Sequence, residues 1–353
     1  MTPLRFILVG IGARSRIWLR VLEEHPDCRV VGAVDSVADR LAAVAAEHPD
    51  LTVGETLADV STRVDADVAL LCTPPGGRHA QIEAACRAGL AILAEKPLAD
   101  TVTDAESHVL AAAEAGVTLA VGLNFRYLTV TRGLKELFAE DRLGRPEFGR
   151  FTYERWRDGR LPHLNKYPLT MAQPMLWEQS IHHFDLMRFV YDAEPVSISA
   201  RTFNPSWSMY EGDANVGALI TFAGGIEVTY QGTWAGNWQE MGFEWRTECR
   251  NGIAVQGEMF GDLSFALRDD EALTPVSLPS SEPWLDDARA LLADFVSHLR
   301  GRAPVPCSGT DHLNSLRMVE ACIRSSQGEG TVTLESTTLE SARSETVVLE
   351  KGA

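Results

Sequence analysis

The first third of the chain alternates short apolar runs with segments of helical periodicity. The run at residues 67–73 is predominantly apolar, as expected of a parallel strand covered on both faces, and residues 78–88 and 101–115 have helical periodicity. This alternation predicts repeated β-α units and a doubly wound parallel sheet, which binds ligands at the carboxyl ends of its strands. The predicted strands are residues 4–9, 29–34, 51–53, 67–73, 90–94 and 118–123.

The remaining two thirds follow a different pattern, in which most predicted strands succeed one another without intervening helices. A helix at residues 132–140 and a strand at residues 148–156 come first, and amphipathic helices at residues 284–300 and 311–325 come last. The connections between strands contain Gly, Asn or Asp, which is typical of hairpins and predicts an antiparallel or mixed sheet. The consecutive strands of this sheet are residues 196–202, 214–222, 225–234, 243–250, 252–257 and 263–267.

The change of pattern divides the chain into two predicted domains. Residues 1–124 contain the β-α units, and residues 125–353 contain the hairpin-rich sheet with the later helices. The predicted fold class is α/β, with a doubly wound parallel sheet followed by an α+β domain that has a large open, mainly antiparallel sheet. Two tail segments, residues 331–334 and 346–349, are predicted either to add edge strands or to be loosely held.

Composition and charge mainly argue against certain classes of partner and site. The 353 residues carry a formal net charge of -17, which disfavours binding to nucleic acid or to anionic lipid. The six cysteines have neither CxxC nor zinc-site spacing, so we expect no metal site and no structural disulfide. No basic segment with a signal-type apolar run is present, and no apolar run could span a bilayer, so we expect a cytoplasmic protein.

A glycine-rich turn connects the first predicted strand to the first predicted helix. Gly10 permits a tight turn, and Gly12 lets the backbone approach a pyrophosphate at the positive end of the helix. Ser15 is a small residue where a third glycine is usual. Asp35 ends the second strand about 20 residues further on, where a carboxylate accepts hydrogen bonds from ribose hydroxyls and repels a 2′-phosphate. These residues predict NAD rather than NADP, with N-capping of the next helix as the alternative for Asp35.

Two further loops leave the predicted parallel sheet at the same edge. The loop at residues 73–75 contains two prolines, which give either a rigid apolar surface for a nicotinamide ring or a simple strand terminator. Lys96 follows the fifth strand, and its ammonium could hydrogen-bond a substrate hydroxyl and stabilise the alkoxide that develops as hydride leaves. The alternative is a surface salt bridge with Glu95. Pro97 is a candidate for a cis peptide bond.

One predicted helix, at residues 177–187, carries three titratable side chains at helical spacing. Glu178, His182 and Asp185 fall at i, i+4 and i+7, which would align them on one stripe. An imidazole titrates near neutrality and can accept a proton at working pH. The alternative is a solvated polar face. The adjacent His183 lies about 100° around the helix and is expected to be structural.

Five motifs of this sequence are characteristic in combination. They are Gly10-Ile11-Gly12, Thr73-Pro74 with His79, Glu95-Lys96-Pro97, Asn124-Phe125-Arg126, and Glu178-x-x-x-His182-x-x-Asp185. Together they resemble, over essentially the whole chain, the glucose-fructose oxidoreductase / inositol dehydrogenase (Gfo/Idh/MocA-type) family of NAD(P)-dependent dehydrogenases. The resemblance implies a Rossmann domain and hydride transfer between a nicotinamide and a secondary hydroxyl of a sugar, inositol or related polyol. It also implies a homo-oligomer, a dimer or tetramer, formed through the C-terminal sheet.

The resemblance also implies roles for individual residues. Lys96 would bind the substrate hydroxyl, His182 would act as general base, and Glu178 would assist in catalysis. The family usually has Asp-x-Gly-x-His, so Glu178 and Ser180 are departures, and substrate identity does not carry over. The predicted cofactor-binding residues are Gly10, Gly12, Ala13, Arg14, Ser15, Asp35, Thr73, Pro74, His79, Glu95 and Lys96. The predicted substrate-binding residues are Lys96, Arg126, Tyr153, Arg155, His163, Glu178, His182 and Asp185.

Two other classes of protein remain as alternatives at this point. One is a regulator that binds a nicotinamide cofactor without catalysis, which the presence of Lys96 and His182 disfavours. The other is a lyase or glycosidase that oxidises and re-reduces the same sugar carbon and so uses NAD only transiently.

Overall fold

The computed structural model describes residues 2–335, which form two compact units. The first unit contains residues 2–124 and 282–313, and the second contains residues 125–281 and 314–335. Residues 282–313, expected in the second domain from the sequence, group with the first unit. The predicted strand at residues 346–349 lies outside the described residues, and the functional division of the chain into two domains stays a prediction.

The first unit is built on a six-stranded parallel sheet, which confirms the predicted doubly wound architecture. The strand order is β3-β2-β1-β4-β5-β6, so the first strand lies in the middle and the chain winds outward in both directions. The carboxyl ends of β1, β4 and β5 are therefore neighbours at one edge. The strands are β1 (Leu4–Val9), β2 (Cys28–Val34), β3 (Thr52–Gly54), β4 (Val68–Leu71), β5 (Ala91–Ala94) and β6 (Leu119–Val121).

Five helices connect these strands. The long predicted helix at residues 101–115 is confirmed as α5, and the hydroxyl of Thr101 caps it by accepting a hydrogen bond from the backbone N–H of Asp104. The short α3 was not predicted, because a helix of this length with two buried residues shows little periodicity. The helices are α1 (Ala13–Glu24), α2 (Ala38–Glu47), α3 (Leu57–Arg63), α4 (Arg78–Arg87) and α5 (Val102–Glu114).

The second unit begins with α6 (Thr129–Ala139) and contains a nine-stranded mixed sheet. The strand order is β14-β13-β12-β11-β7-β10-β9-β8-β15, and β7 pairs in parallel with β10 while the other pairs are antiparallel. This arrangement confirms the predicted open, mainly antiparallel sheet. The strands are β7 (Pro146–Glu154), β8 (Pro195–Phe203), β9 (Asn215–Phe222), β10 (Ile226–Thr233), β11 (Gly242–Cys249), β12 (Gly252–Glu258), β13 (Gly261–Leu267), β14 (Thr274–Pro275) and β15 (Val332–Thr333).

Helix α7 (Ile181–Tyr191) lies against one face of this sheet and is buried along almost its whole length. Aromatic rings from the sheet enclose it: Phe184 packs edge-on against Tyr230, and Tyr191 packs against Trp245 and accepts a hydrogen bond from its indole N–H at 2.9 Å. A helix this deeply buried can carry charged side chains only if each has a partner.

Helix α8 (Asp286–Leu299) belongs to the first unit, and α9 (Gly309–Arg324) contributes residues to both units. Packing explains why α8 joins the first unit: Arg289 forms an ion pair with Glu24 of α1, and buried Asp287 accepts a hydrogen bond from Asn124. Within residues 2–335, no helix has the length and apolar character needed to cross a membrane.

Candidate active site

The glycine-rich turn of the first unit has the geometry of a phosphate-binding loop. Gly10 has a φ of +90°, and a Cβ there would lie 2.9 Å from the Thr73 side chain, so only glycine fits. Gly12 is the N-cap of α1, which has no side-chain cap and no acidic residue in its first turn. The first N–H groups of α1 can therefore bind an anion. Ser15 is buried, and its hydroxyl donates to the carbonyl of Gly12 at 2.7 Å.

Asp35 ties the end of β2 to this turn. Its carboxylate accepts hydrogen bonds from the backbone N–H groups of Ile11 at 2.6 Å and Val37 at 2.8 Å, and Arg40 approaches to 3.4 Å. The N-cap of α2 is Val37, without a side-chain hydrogen bond, so Asp35 does not cap that helix. A buried carboxylate beside the glycine turn fits the predicted ribose contact, which stays a prediction.

Glu95, at the end of β5, is held by two donors from α1. Its Oε1 accepts a hydrogen bond of 2.6 Å from Nε of Arg14 and another of 2.6 Å from the indole of Trp18. Burial alone would raise the pKa of Glu95, but the charge and hydrogen bonds of these donors outweigh it and lower the pKa below its ordinary value. Glu95 is therefore anionic and pairs with Arg14, and the positive charge of Lys96 also lowers its pKa.

Arg14 also offers further donors at the turn. Both of its Nη atoms are buried and have no hydrogen-bond acceptor among residues 2–335. The guanidinium lies 5.4 Å from the ring of Trp18 and 6.0 Å from that of Trp284. These free N–H groups are suited to an acceptor on a bound cofactor.

The loops after β4 and β5 meet at a residue that sequence reasoning missed, Arg78. Its guanidinium is buried and donates to the carbonyl oxygens of Glu95 at 2.5 Å and Pro97 at 2.6 Å, and to that of Thr73. The Lys96-Pro97 peptide bond is cis, as the sequence suggested. The partners of Arg78 are backbone carbonyls, which leave no signal in the sequence.

The remaining predicted residues of this edge occupy more exposed positions. Pro74 is exposed, and the Thr73 hydroxyl donates to Gln81 at 2.8 Å. His79 lies on the exposed side of α4, where it approaches Glu83 at 3.1 Å. The structure thus places Arg78, not the neighbouring His79, at the junction of the two loops. Ala13 is the first residue of α1.

In the second unit, His182 lies on α7 with its imidazole fixed by stacking. The ring lies 4.1 Å from that of Phe125, with 20° between the planes, and only 4% of the residue is exposed. Phe125 in turn packs edge-on against Phe260. The alternative of a solvated polar face is therefore wrong for His182. Such a ring is oriented before any substrate arrives.

The adjacent His183 has a different environment. Its Nδ1 lies 2.8 Å from the Tyr230 hydroxyl, its Nε2 lies 3.0 Å from the Gln179 amide, and the tyrosine donates onward to Ser180. Burial lowers the pKa of His183 to about 3, so the ring is neutral at physiological pH. Both nitrogens are occupied by protein groups, which agrees with the expected structural role.

Asp185 has several protein hydrogen-bond partners. Arg126 donates two hydrogen bonds to it, at 2.7 and 2.5 Å, and Ser315 donates a third at 3.1 Å. Arg188 lies 3.6 Å away. The structure joins Arg126 and Asp185 in a buried ion pair, and the substrate contact that the sequence suggested for them stays a prediction. The pair anchors the start of the second unit to α7.

Glu178 lies just before the start of α7. The predicted helix at residues 177–187 opens with a π-turn, Leu176–Ser180, before α7 begins, so the segment is not one continuous α-helix. Glu178 accepts a hydrogen bond of 2.8 Å from the hydroxyl of Tyr167, which lies in the polar loop before it. The longer side chain of Glu178 is thereby given a defined direction.

The other predicted substrate residues are dispersed in the second unit. Tyr153 is fully buried on β7, 4.9 Å from the His183 ring, and its hydroxyl has no partner within the described chain. Arg155 and His163 are exposed. The described residues contain no group of three or more His, Cys, Asp or Glu side chains that could hold a metal ion.

Comparison with known proteins identifies the family to which these features belong. Residues 4–123 match an oxidoreductase family described as having an NAD-binding Rossmann fold, and residues 131–258 match the GFO/IDH/MocA C-terminal domain. The chain belongs to the Gfo/Idh/MocA oxidoreductase family. The predicted resemblance is thereby confirmed, and the first unit is an NAD-binding Rossmann domain.

Several relatives of this chain are enzymes named for sugars or inositol. The chain is 28% identical to a 1,5-anhydro-D-fructose reductase of Ensifer adhaerens, covering 68% of this chain and 72% of that protein. It is 23% identical to an inositol 2-dehydrogenase of Rhizobium meliloti, covering 91% and 96%. The solved structure of a levoglucosan dehydrogenase in complex with NADH and levoglucosan has the same fold, with a TM-score of 0.82 and 19% sequence identity. The match covers 95% of this chain and 100% of that chain.

Replacing Arg126 with methionine tests the buried ion pair. The change removes two hydrogen bonds from a carboxylate that is only 2% exposed, and a broken buried pair costs about 3–5 kcal/mol. Since Arg188 remains nearby, we expect a loss of about 3 kcal/mol in urea unfolding of the second unit. Arg145→Met, which breaks the exposed pair with Glu147, is the matched control and should cost less than about 1 kcal/mol. Equal losses in both variants would contradict the assignment.

Proposed function

We propose that this enzyme oxidises a secondary hydroxyl of a sugar, an inositol or a related polyol with NAD, and that Lys96 and His182 act on the same hydroxyl. The observation that carries the proposal is the fixation of Lys96. Glu95 before it and Pro97 after it are both anchored by buried donors, at the edge of the sheet where Rossmann domains bind ligands. An ammonium carried by an anchored backbone at that edge is suited to binding a hydroxyl oxygen.

The cofactor side of the proposal rests on residues of the first unit. The uncapped N-terminus of α1 would hold the pyrophosphate, Asp35 the adenosine ribose, and the free Nη atoms of Arg14 another acceptor of the cofactor. Glu95 serves indirectly, because its carboxylate is committed to Arg14 and Trp18.

In the proposed mechanism, the substrate hydroxyl loses its proton to His182 while its carbon gives up a hydride. NAD, when bound, supplies the hydride acceptor. The Lys96 ammonium donates a hydrogen bond to the substrate oxygen and stabilises its negative charge until the carbonyl forms. Stacking on Phe125 holds the His182 ring in place, and Tyr167 directs Glu178, which we assign to a neighbouring substrate hydroxyl.

The residue roles are tested with Lys96→Met and His182→Gln. Proton transfer by a positioned group contributes about 10²–10⁴-fold, so each variant should lose about that factor in kcat while its affinity for NAD persists. The assay measures NADH formation over a panel of inositols and aldoses, and NADH consumption with the corresponding lactones. Lys135→Met, a lysine on α6 that contacts the Phe189 carbonyl, is the control and should keep wild-type turnover.

Three results of this assay would overturn the proposal. Full turnover in either variant would remove the assigned role of that residue. NAD binding without turnover of any member of the panel would favour the non-catalytic regulator, and product formation without net NADH would favour transient use of the cofactor.

The choice of NAD over NADP is tested at Asp35. We expect wild-type enzyme to prefer NAD, because the buried carboxylate repels a 2′-phosphate. Asp35→Ser should raise the ratio of kcat/KM with NADP to kcat/KM with NAD by about tenfold or more, equivalent to about 1.4 kcal/mol. The control Asp39→Asn removes an exposed acid from the same region and should leave the ratio unchanged. A wild-type preference for NADP would refute the role of Asp35.

We also propose a cytoplasmic homo-oligomer that assembles through the outer face of the second sheet. Phe148, Leu219 and Phe203 are 56%, 49% and 48% exposed on that face, and the six cysteines are free thiols, as in a reducing compartment. Sedimentation should give a dimer or tetramer, which Leu219→Arg should dissociate. Leu273→Arg, on an exposed loop, should not change the mass. A monomeric wild-type protein would contradict this proposal.

A further inference from the structure

Arg78 occupies a position that is unfavourable for a cation. It is the first residue of α4, directly after Gly77, whose φ of +79° starts the helix. The N-terminus of a helix carries partial positive charge and disfavours a cationic side chain there. The side chain is also buried, with 1% of the residue exposed, which removes the hydration of the guanidinium. Both costs need compensation.

The compensation comes from a cluster of backbone carbonyl groups. Nη1 lies 2.5 Å from the carbonyl oxygen of Glu95, 2.6 Å from that of Pro97 and 3.2 Å from that of Leu98, and Nη2 donates to Thr73. Hydrogen bonds from a charged donor are stronger than neutral ones. One guanidinium therefore links the loop after β4 to the loop after β5, neighbouring strands of the parallel sheet.

Two of these contacts flank Lys96. A hydrogen bond to the Glu95 carbonyl fixes the peptide plane before Lys96, and one to the Pro97 carbonyl fixes the plane that follows Pro97. The backbone N–H of Leu98 lies 3.4 Å from the His312 imidazole, which holds the same segment from its other end. The direction of the Lys96 side chain depends on these planes.

We propose that Arg78 is a positioning residue of the dehydrogenase reaction: it sets the backbone from which Lys96 reaches the substrate and locks it to the Thr73 loop. The inference rests on the role proposed for Lys96. Arginine is required because its planar fork spans several carbonyls, whereas a lysine ammonium is a single point charge on a flexible stem. Arg78→Lys keeps the buried charge but cannot reproduce the link.

The experiment is a double-mutant cycle between Arg78→Lys and Lys96→Met. It uses the full-length enzyme and the fastest substrate of the polyol panel. Arg78→Lys alone should lower kcat by about tenfold or more, with the Kd for NADH, measured by fluorescence titration, changed by less than about threefold. In the Lys96→Met background, the same change should cost less than about twofold, since the residue through which Arg78 acts is absent. The control Arg87→Met, exposed on the same helix, should have no effect.

Each other outcome overturns the inference in a recognisable way. Wild-type turnover in Arg78→Lys, or an equal loss with and without Lys96, would deny that Arg78 acts through the lysine. If neither Arg78→Lys nor Arg78→Gly supplemented with guanidinium folds, Arg78 is needed for folding and not specifically for positioning Lys96. Full activity of the Lys96→Met variant would reject the role proposed for Lys96. If Lys96→Met is inactive but Arg78→Lys has wild-type activity, only the role proposed for Arg78 is rejected.

Discussion

The structure of the first unit depends on how buried charges are satisfied at the carboxyl edge of the parallel sheet. Glu95 and Arg14 neutralise each other, Trp18 adds a second donor, and Arg78 is surrounded by carbonyl oxygens. Unpaired, each of these charges would cost several kcal/mol to bury. Because the partners come from α1, β4, β5 and α4, satisfying the charges also fixes the loops, and Lys96 is held between two anchored neighbours.

In the second unit, the buried charged and polar side chains are those of helix α7. Two consecutive histidines of α7 have opposite environments: His183 is hydrogen-bonded on both nitrogens, whereas His182 is oriented by stacking on Phe125. Asp185 is neutralised by Arg126 and therefore adds no uncompensated charge. Stacking restricts the orientation of the ring, and a general base must be held in a defined position.

Local patterns in the sequence were sufficient to predict much of the fold and part of the candidate site. The apolar runs located the strands, and the parallel topology placed Gly10, Asp35 and Lys96 at one edge because carboxyl ends of parallel strands lie together. The role of Arg78 could not be predicted, since its acceptors are backbone carbonyls, three of them 17 to 20 residues away. The π-turn that contains Glu178 was not predicted, because such a turn is not visible in a side-chain pattern with a period of 3.6. The grouping of residues 282–313 with the first unit includes contacts such as that of Arg289 with Glu24, whose partners are 265 residues apart in the sequence.

Direct transfer of a hydride from a polyol carbon to the nicotinamide is the step that defines the proposed reaction. The most direct test is isotope transfer, in which the enzyme is incubated with NAD and a polyol that carries deuterium on the carbinol carbon, and the NADH is analysed by mass spectrometry. If the hydride is transferred directly, the NADH contains the deuterium and the product is the corresponding ketone or lactone. NADH without deuterium, or a product formed while the label stays on the sugar, would contradict it.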